Sequence, residues 1–195
     1  MNGISTSADA ARLLDALGEQ LERTGSSYDL VVVGGAALLA LELITRSTKD
    51  VDVVALRDDL ALLPANPLPD RLAEARDRVA RDFQLHSDWL NGGPSSLLSF
   101  GLPEGFLSRA EREGHGPGLT VWYASRFDQV HLKLYAAVDQ GPGKHEADLR
   151  ALEPSRDELL AAARWSLSHD PSPGYRMVLE HALDALGVED ASVGS

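Results

Sequence analysis

The run Tyr28-Asp29-Leu30-Val31-Val32-Val33 stops at Gly34-Gly35 and gives way to a helical pattern from Ala36 to Leu43. β-Branched apolar residues specify a buried strand, and the glycine pair ends it, so a strand delivers a turn straight to a helix N-terminus. Glycines at such a point let an anion approach the backbone without obstruction by Cβ, and the unbonded N–H groups of the first helical turn face it. Gly34 and Gly35 are therefore candidate phosphate-binding residues.

The next strand supplies a candidate metal site. In Asp50-Val51-Asp52-Val53 the valines mark a strand, and positions two apart along a strand face the same side, so the two carboxylates are presented together. Paired hard oxygen ligands suit Mg²⁺ or Mn²⁺, which bind through one or two carboxylates plus substrate phosphates. Each feature alone is common in turns and strand ends that do no chemistry. A phosphate-binding turn, a helix and a same-face carboxylate pair, in that order, are what two-metal nucleotidyl transfer requires. Between them, Ser47 and Thr48 offer hydroxyls that either bond phosphate or cap the turn.

Gly34-Gly35 followed by Asp50-Val51-Asp52-Val53 resembles the signature of the polymerase-β-like nucleotidyltransferase superfamily, and Arg46-Ser47-Thr48-Lys49 is most similar to its AbiEii-type bacterial branch. A second region, Ala124 to Gln129 leading into His131-Leu132-Lys133-Leu134 and then His145 to Leu152, resembles small bacterial members. The resemblance implies an NTP donor, with Arg46, Thr48, Lys49 and Lys133 joining the two glycines around the nucleotide and Asp50 and Asp52 as metal-holding catalytic acids. It also implies a toxin–antitoxin or phage-defence setting, with a cognate toxin or antitoxin as partner. Many active members carry a third carboxylate on a later strand, and Leu119-Thr120-Val121-Trp122-Tyr123 has none. Asp88 is the substitute candidate, beside a Trp89 that reads as a buried anchor.

Composition fits a small cytoplasmic enzyme or binding module, and the resemblance implies a bacterial one. With 195 residues the chain suits one domain and a helical appendage, and the absence of cysteine excludes disulfides and thiolate ligands. A formal net charge of −12 argues against a broad basic face for nucleic acid. Met1 to Ser5 lacks the basic and apolar regions of a leader, and the apolar stretch Leu30 to Ile44 is short and broken by Glu42, so no membrane association is expected.

The expected fold is α/β (α+β): a small mixed nucleotidyltransferase-like sheet flanked by helices over residues 1–124, and a C-terminal helical region over 125–195 packed on it. Ala8 to Arg23 reads as an amphipathic helix with Leu13, Leu14, Leu17 and Leu21 on one face, and Asp70 opens a second, ending about Arg81. Strands are expected near Phe83 to His86, Phe106 to Arg109 and Leu119 to Tyr123, and a frayed tail from Glu189 to Ser195. Arg71, Arg76, Arg78 and Arg81 form a solvated face. His131, His145, His169 and His181 show no metal-binding spacing. The reaction read from these residues is Mg-dependent transfer of a nucleotide from an NTP to an acceptor left open among tRNA or other RNA, a protein side chain and a small molecule. The alternatives are a catalytically degenerate nucleotide-binding or antitoxin-like module of the same fold, and a purely structural domain.

Overall fold

In the computed structural model of the protein, Thr6 starts the first helix, α1 (Ser7–Arg23), through a capping box. Its hydroxyl accepts from the Asp9 N–H at 3.0 Å, and the Asp9 carboxylate accepts from the Thr6 N–H at 3.1 Å. The structure describes residues 3–59, 61–141 and 143–188, and the tail expected from Glu189 onward lies outside them. Leu13, Leu14, Leu17 and Leu21 are buried along one side of α1, as their spacing predicts.

The expected strand–turn–helix follows. β1 (Tyr28–Val33) runs into α2 (Gly34–Ala40), and Gly34 turns the chain with φ +73°, a conformation that glycine enters without penalty. β2 (Val51–Asp58) returns antiparallel to β1, and β3 (Ala61–Pro64) pairs with the second half of β2. β6 (Leu119–Tyr123) lies parallel to β1 on its other side, with β5 (Glu111–Gly114) antiparallel beyond it. The order is β3-β2-β1-β6-β5, and a two-residue β4 (Leu90–Asn91) pairs parallel with the first half of β2. This is a mixed six-stranded sheet flanked by helices.

Neither of two expected strands forms: Phe83 ends a helix and Leu85-His86 follow it as irregular chain, and Phe106–Arg109 is helical. α3 (Asp70–Phe83) runs through Phe83, because the apolar spacing of Leu72, Ala75, Val79 and Ala80 keeps one face buried and Gln84 then ends the helix with φ 55°. The Phe83 ring lies under the Arg12 guanidinium of α1 at 5.0 Å, which gives this aromatic a helical contact. Phe106–Arg109 is a short helix, α4, launched by Gly105 at φ +74°. A 3-10 helix, Gly93–Ser99, then packs along β2, where Ser95 Oγ donates to the Val54 carbonyl at 2.9 Å and accepts from the Ala65 N–H at 2.6 Å. Gly92 sits tightly against Ala65: a Cβ there would lie 2.2 Å from the Ala65 carbonyl oxygen.

The chain divides into two compact units, Met1–Ser125 and Arg126–Ser195. Among the described residues the elements of the second are all helices: α5 (Arg126–Gln140), α6 (Lys144–Ala151), α7 (Arg156–His169) and α8 (Pro173–Ala185). Arg126 ties its own helix to the α6–α7 turn, donating to the Leu152 carbonyl at 2.9 Å and to the Glu158 carboxylate at 2.6 Å. The Arg126 hydrogen bond holds the Glu158 carboxyl below the usual range. Tyr135, Trp165, His169 and Tyr175 stack edge-on or tilted between α5, α7 and α8. Burial keeps His169 below its ordinary value and pushes Tyr175 up to about 12, while the Tyr175 and Ser166 hydroxyls are hydrogen-bonded.

Candidate active site

Three strand ends meet at one edge of the sheet. Val33, the last residue of β1, pairs with Asp52, and Asp52 in turn pairs with Asn91 of β4. The second aspartate is thus flanked by the glycine turn and by β4. Its Oδ1 accepts from the Asn91 amide at 3.3 Å, and its Oδ2 lies 2.7 Å from where a Gly34 Cβ would stand. Any side chain at residue 34 would meet that carboxylate.

Gly35 plays the matching part toward the loop before β2. A Cβ there would lie 2.8 Å from Thr48 Oγ1 and 3.5 Å from an Arg46 guanidinium nitrogen. Thr48 is buried, and its hydroxyl donates to Asp50 Oδ1 at 3.3 Å. Its backbone is fastened to Ile4 in both directions, at 2.8 and 2.9 Å. Arg46 donates to the Ser47 carbonyl at 3.1 Å, and Lys49 is exposed at the same loop. Gly34, Gly35, Arg46, Thr48, Asp50 and Asp52 therefore form one neighbourhood, in which backbone donors and cations adjoin two carboxylates.

A cleft of about 1060 Å³ opens beside this neighbourhood. Thr48, Lys49 and Asp50 line it, together with Asp88, Asn91 and Arg76. Asp88 thus shares a cavity with Asp50. It is exposed, its Oδ2 stands 3.8 Å from His86 Nδ1, and its N–H donates to that nitrogen at 3.2 Å, which leaves the proton of a neutral His86 on Nε2. Trp89 is the anchor its sequence context suggests: it is 1% exposed, with its indole N–H donating to the Arg76 carbonyl at 3.1 Å.

Lys133 lies in the helical unit. Its ammonium is buried and 2.6 Å from Asp148 Oδ2, itself buried, so the lysine carries the anionic partner that burial demands.

Asn91, which the sequence sets at the start of a loop and, with Asp88, among polar groups that could line a base pocket, lies on strand β4, and its amide meets Asp52 on the neighbouring strand. A two-residue strand carries no periodicity, so its pairing with β2 leaves no mark in the sequence. Among the described residues, no group of three or more histidine, cysteine, aspartate or glutamate side chains is placed to share one metal ion. Two carboxylates remain, a donor set that suits a hard cation completing its shell with phosphate oxygens and water.

A family model described as "Nucleotidyltransferase of unknown function (DUF6036)" matches residues 11–142 of the chain. No curated protein and no solved structure matches it.

Proposed function

Since the chain belongs to this nucleotidyltransferase family, we propose that it transfers a nucleotide from an NTP to an acceptor hydroxyl at the mouth of β2. The observation that carries the reading is the fit of Gly34 against Asp52, which sets the glycine turn against one of the two aspartates. The backbone N–H groups after Gly34 bind the phosphates, and Arg46 and Lys49 offset their charge. Thr48 orients Asp50, and Asn91 orients Asp52. Mg²⁺ or Mn²⁺ held by these two acids supplies neutralisation of the triphosphate charge when bound. Asp88, in the same cleft as Asp50, receives the proton from the attacking hydroxyl. The stretch Arg46 to Lys49, through its AbiEii-type likeness, supports a toxin–antitoxin or phage-defence setting in a bacterial cytoplasm.

Calorimetric titration with each NTP, with and without Mg²⁺, tests the site. Asp50→Ala and Asp52→Ala are expected to abolish the metal-dependent part of the affinity, and unchanged titrations in both variants would refute the assignment.

Asn91 favours a second reading. An amide on the strand beside Asp52 adds no negative charge, so one ion is better held there than two, as suits a nucleotide-binding module without transfer. Nucleotide binding with no label passed to any acceptor would select it.

A further inference from the structure

The nature of the acceptor follows from the cleft, given the nucleotidyl-transfer reading on which this inference rests. In-line transfer places the attacking oxygen and the departing pyrophosphate on opposite sides of the α-phosphorus. Gly34 and Gly35, which take the phosphates, lie outside the cleft, whereas Asp50 lines it. The cleft is then where the attacking group enters.

Its charge disfavours a polyanion. Two side chains of fixed positive charge line it, Arg76 and Lys49, and on that reading Lys49 is engaged by the NTP phosphates. Arg76 is 2.8 Å from the Asp77 carboxylate and His86 faces Asp88 at 3.8 Å. A nucleic-acid strand binds chiefly by phosphate neutralisation, and this cleft, in a chain of net charge −12, offers little of it. Its volume, about 1060 Å³, lies at the upper limit for a small-molecule pocket and leaves ample room for a ring compound. Its walls combine two carboxylates, Asp50 and Asp88, two amides, Asn66 and Asn91, and the His86 imidazole with apolar Leu68 and Leu85. Vicinal hydroxyls both donate and accept and satisfy such a mixed set, while the C–H face of a ring covers the two leucines.

We propose that the cleft receives a small polyhydroxylated ring compound, a sugar or cyclitol, as acceptor. Its hydroxyl oxygen bonds to the α-phosphorus, the bond from that phosphorus to the bridging oxygen breaks, and the electron pair leaves with pyrophosphate. The hydroxyl proton passes to Asp88 and then to solvent.

The full chain with Mg²⁺ and the four NTPs, radiolabelled at the α-phosphorus, is offered a pool of glucose, trehalose, myo-inositol and streptamine, and separately total RNA. Label is expected in the pool. Label in RNA, or in neither, overturns the proposal. Leu68→Trp and Ala73→Met fill the cleft from two different elements and are expected to lower transfer about tenfold or more while leaving NTP affinity in place. If both stay folded by thermal melting and yet lose NTP binding, the cleft holds the nucleotide and the acceptor assignment falls. If the unaltered protein binds no NTP, the nucleotidyl-transfer reading itself fails and takes this one with it.

Discussion

Gly34 and Asp52 occupy adjoining space: the glycine has φ +73°, and a Cβ on it would stand 2.7 Å from the Asp52 carboxylate oxygen. Conformation and clash both select glycine here. Gly34→Ala is expected to cost about 1–2 kcal/mol for the left-handed backbone and to displace the carboxylate, so that NTP affinity falls further than stability does. Denaturant melts run beside calorimetry check this. A loss of affinity no larger than the fraction unfolded would make Gly34 a turn residue only.

Gly35 differs, because its backbone is ordinary and only Thr48 stands in the way, at 2.8 Å from a would-be Cβ. Gly35→Ala alone should weaken phosphate binding, and adding Thr48→Ala should relieve the crowding. Thermal stability of the double variant above that of the single one is the expected sign; equal stability would place the strain elsewhere.

The buried pair of Lys133 and Asp148, at 2.6 Å, gives a stability prediction. Lys133→Met withdraws the cation from a buried carboxylate and should cost about 3–5 kcal/mol, whereas Lys133→Met with Asp148→Leu should recover most of that loss. Urea midpoints of the two variants decide it. A single variant as stable as the parent would show that the pair is not a structural ion pair.

At alkaline pH the helical unit should weaken through Tyr175. Its pKa is raised to about 12 by burial, so the protonated phenol stabilises the fold fully below the ordinary value of 10.0, and that contribution disappears as pH rises toward about 12. Tyr175→Phe should flatten this limb of the stability profile. An unchanged alkaline limb would count against it.

His169 and Glu158 both act on the acid side. Burial depresses the pKa of His169, so stability falls as pH drops below its ordinary 6.5 and the folded state resists taking the proton. Glu158, lowered chiefly by its Arg126 hydrogen bond, stabilises above its ordinary 4.5 and loses that contribution as pH falls further. His169→Phe should remove the first decline and Arg126→Gln should shrink the second, which stability curves run from above 6.5 to well below 4.5 distinguish.

Much of this architecture is legible in the chain. The Tyr28–Val33 strand, the glycine turn and the valines around Asp52 announce themselves because strand periodicity and glycine conformational freedom are local properties. Phe83 misleads for a physical reason: an aromatic at the end of a charged helix looks like the start of a strand until its Arg12 partner is seen. Asn91 and the cleft walls are hidden more deeply. Asn66, His86 and Asp50 are brought together by tertiary packing, and no spacing in the sequence marks residues that meet only across loops. Leu119–Tyr123, where the resemblance would set a third carboxylate, pairs with β1, whereas Asp52 on β2 is paired with Val33 on one side and Asn91 on the other.

The outer edge of β2 is shared between two strands, β4 along its first half and β3 along its second, and the Ser95 hydroxyl bonds both the Val54 carbonyl and the Ala65 N–H at the join. One side-chain oxygen there completes a ladder that neither strand finishes. Asp52 lies just two residues before that stitch, so the floor beneath it is as stiff as the sheet. If the cleft breathes to admit an acceptor, the displacement belongs to the wall carried by α3 and the Leu85–Trp89 turn, and backbone amides there should exchange with solvent well before those of Val53 and Val54.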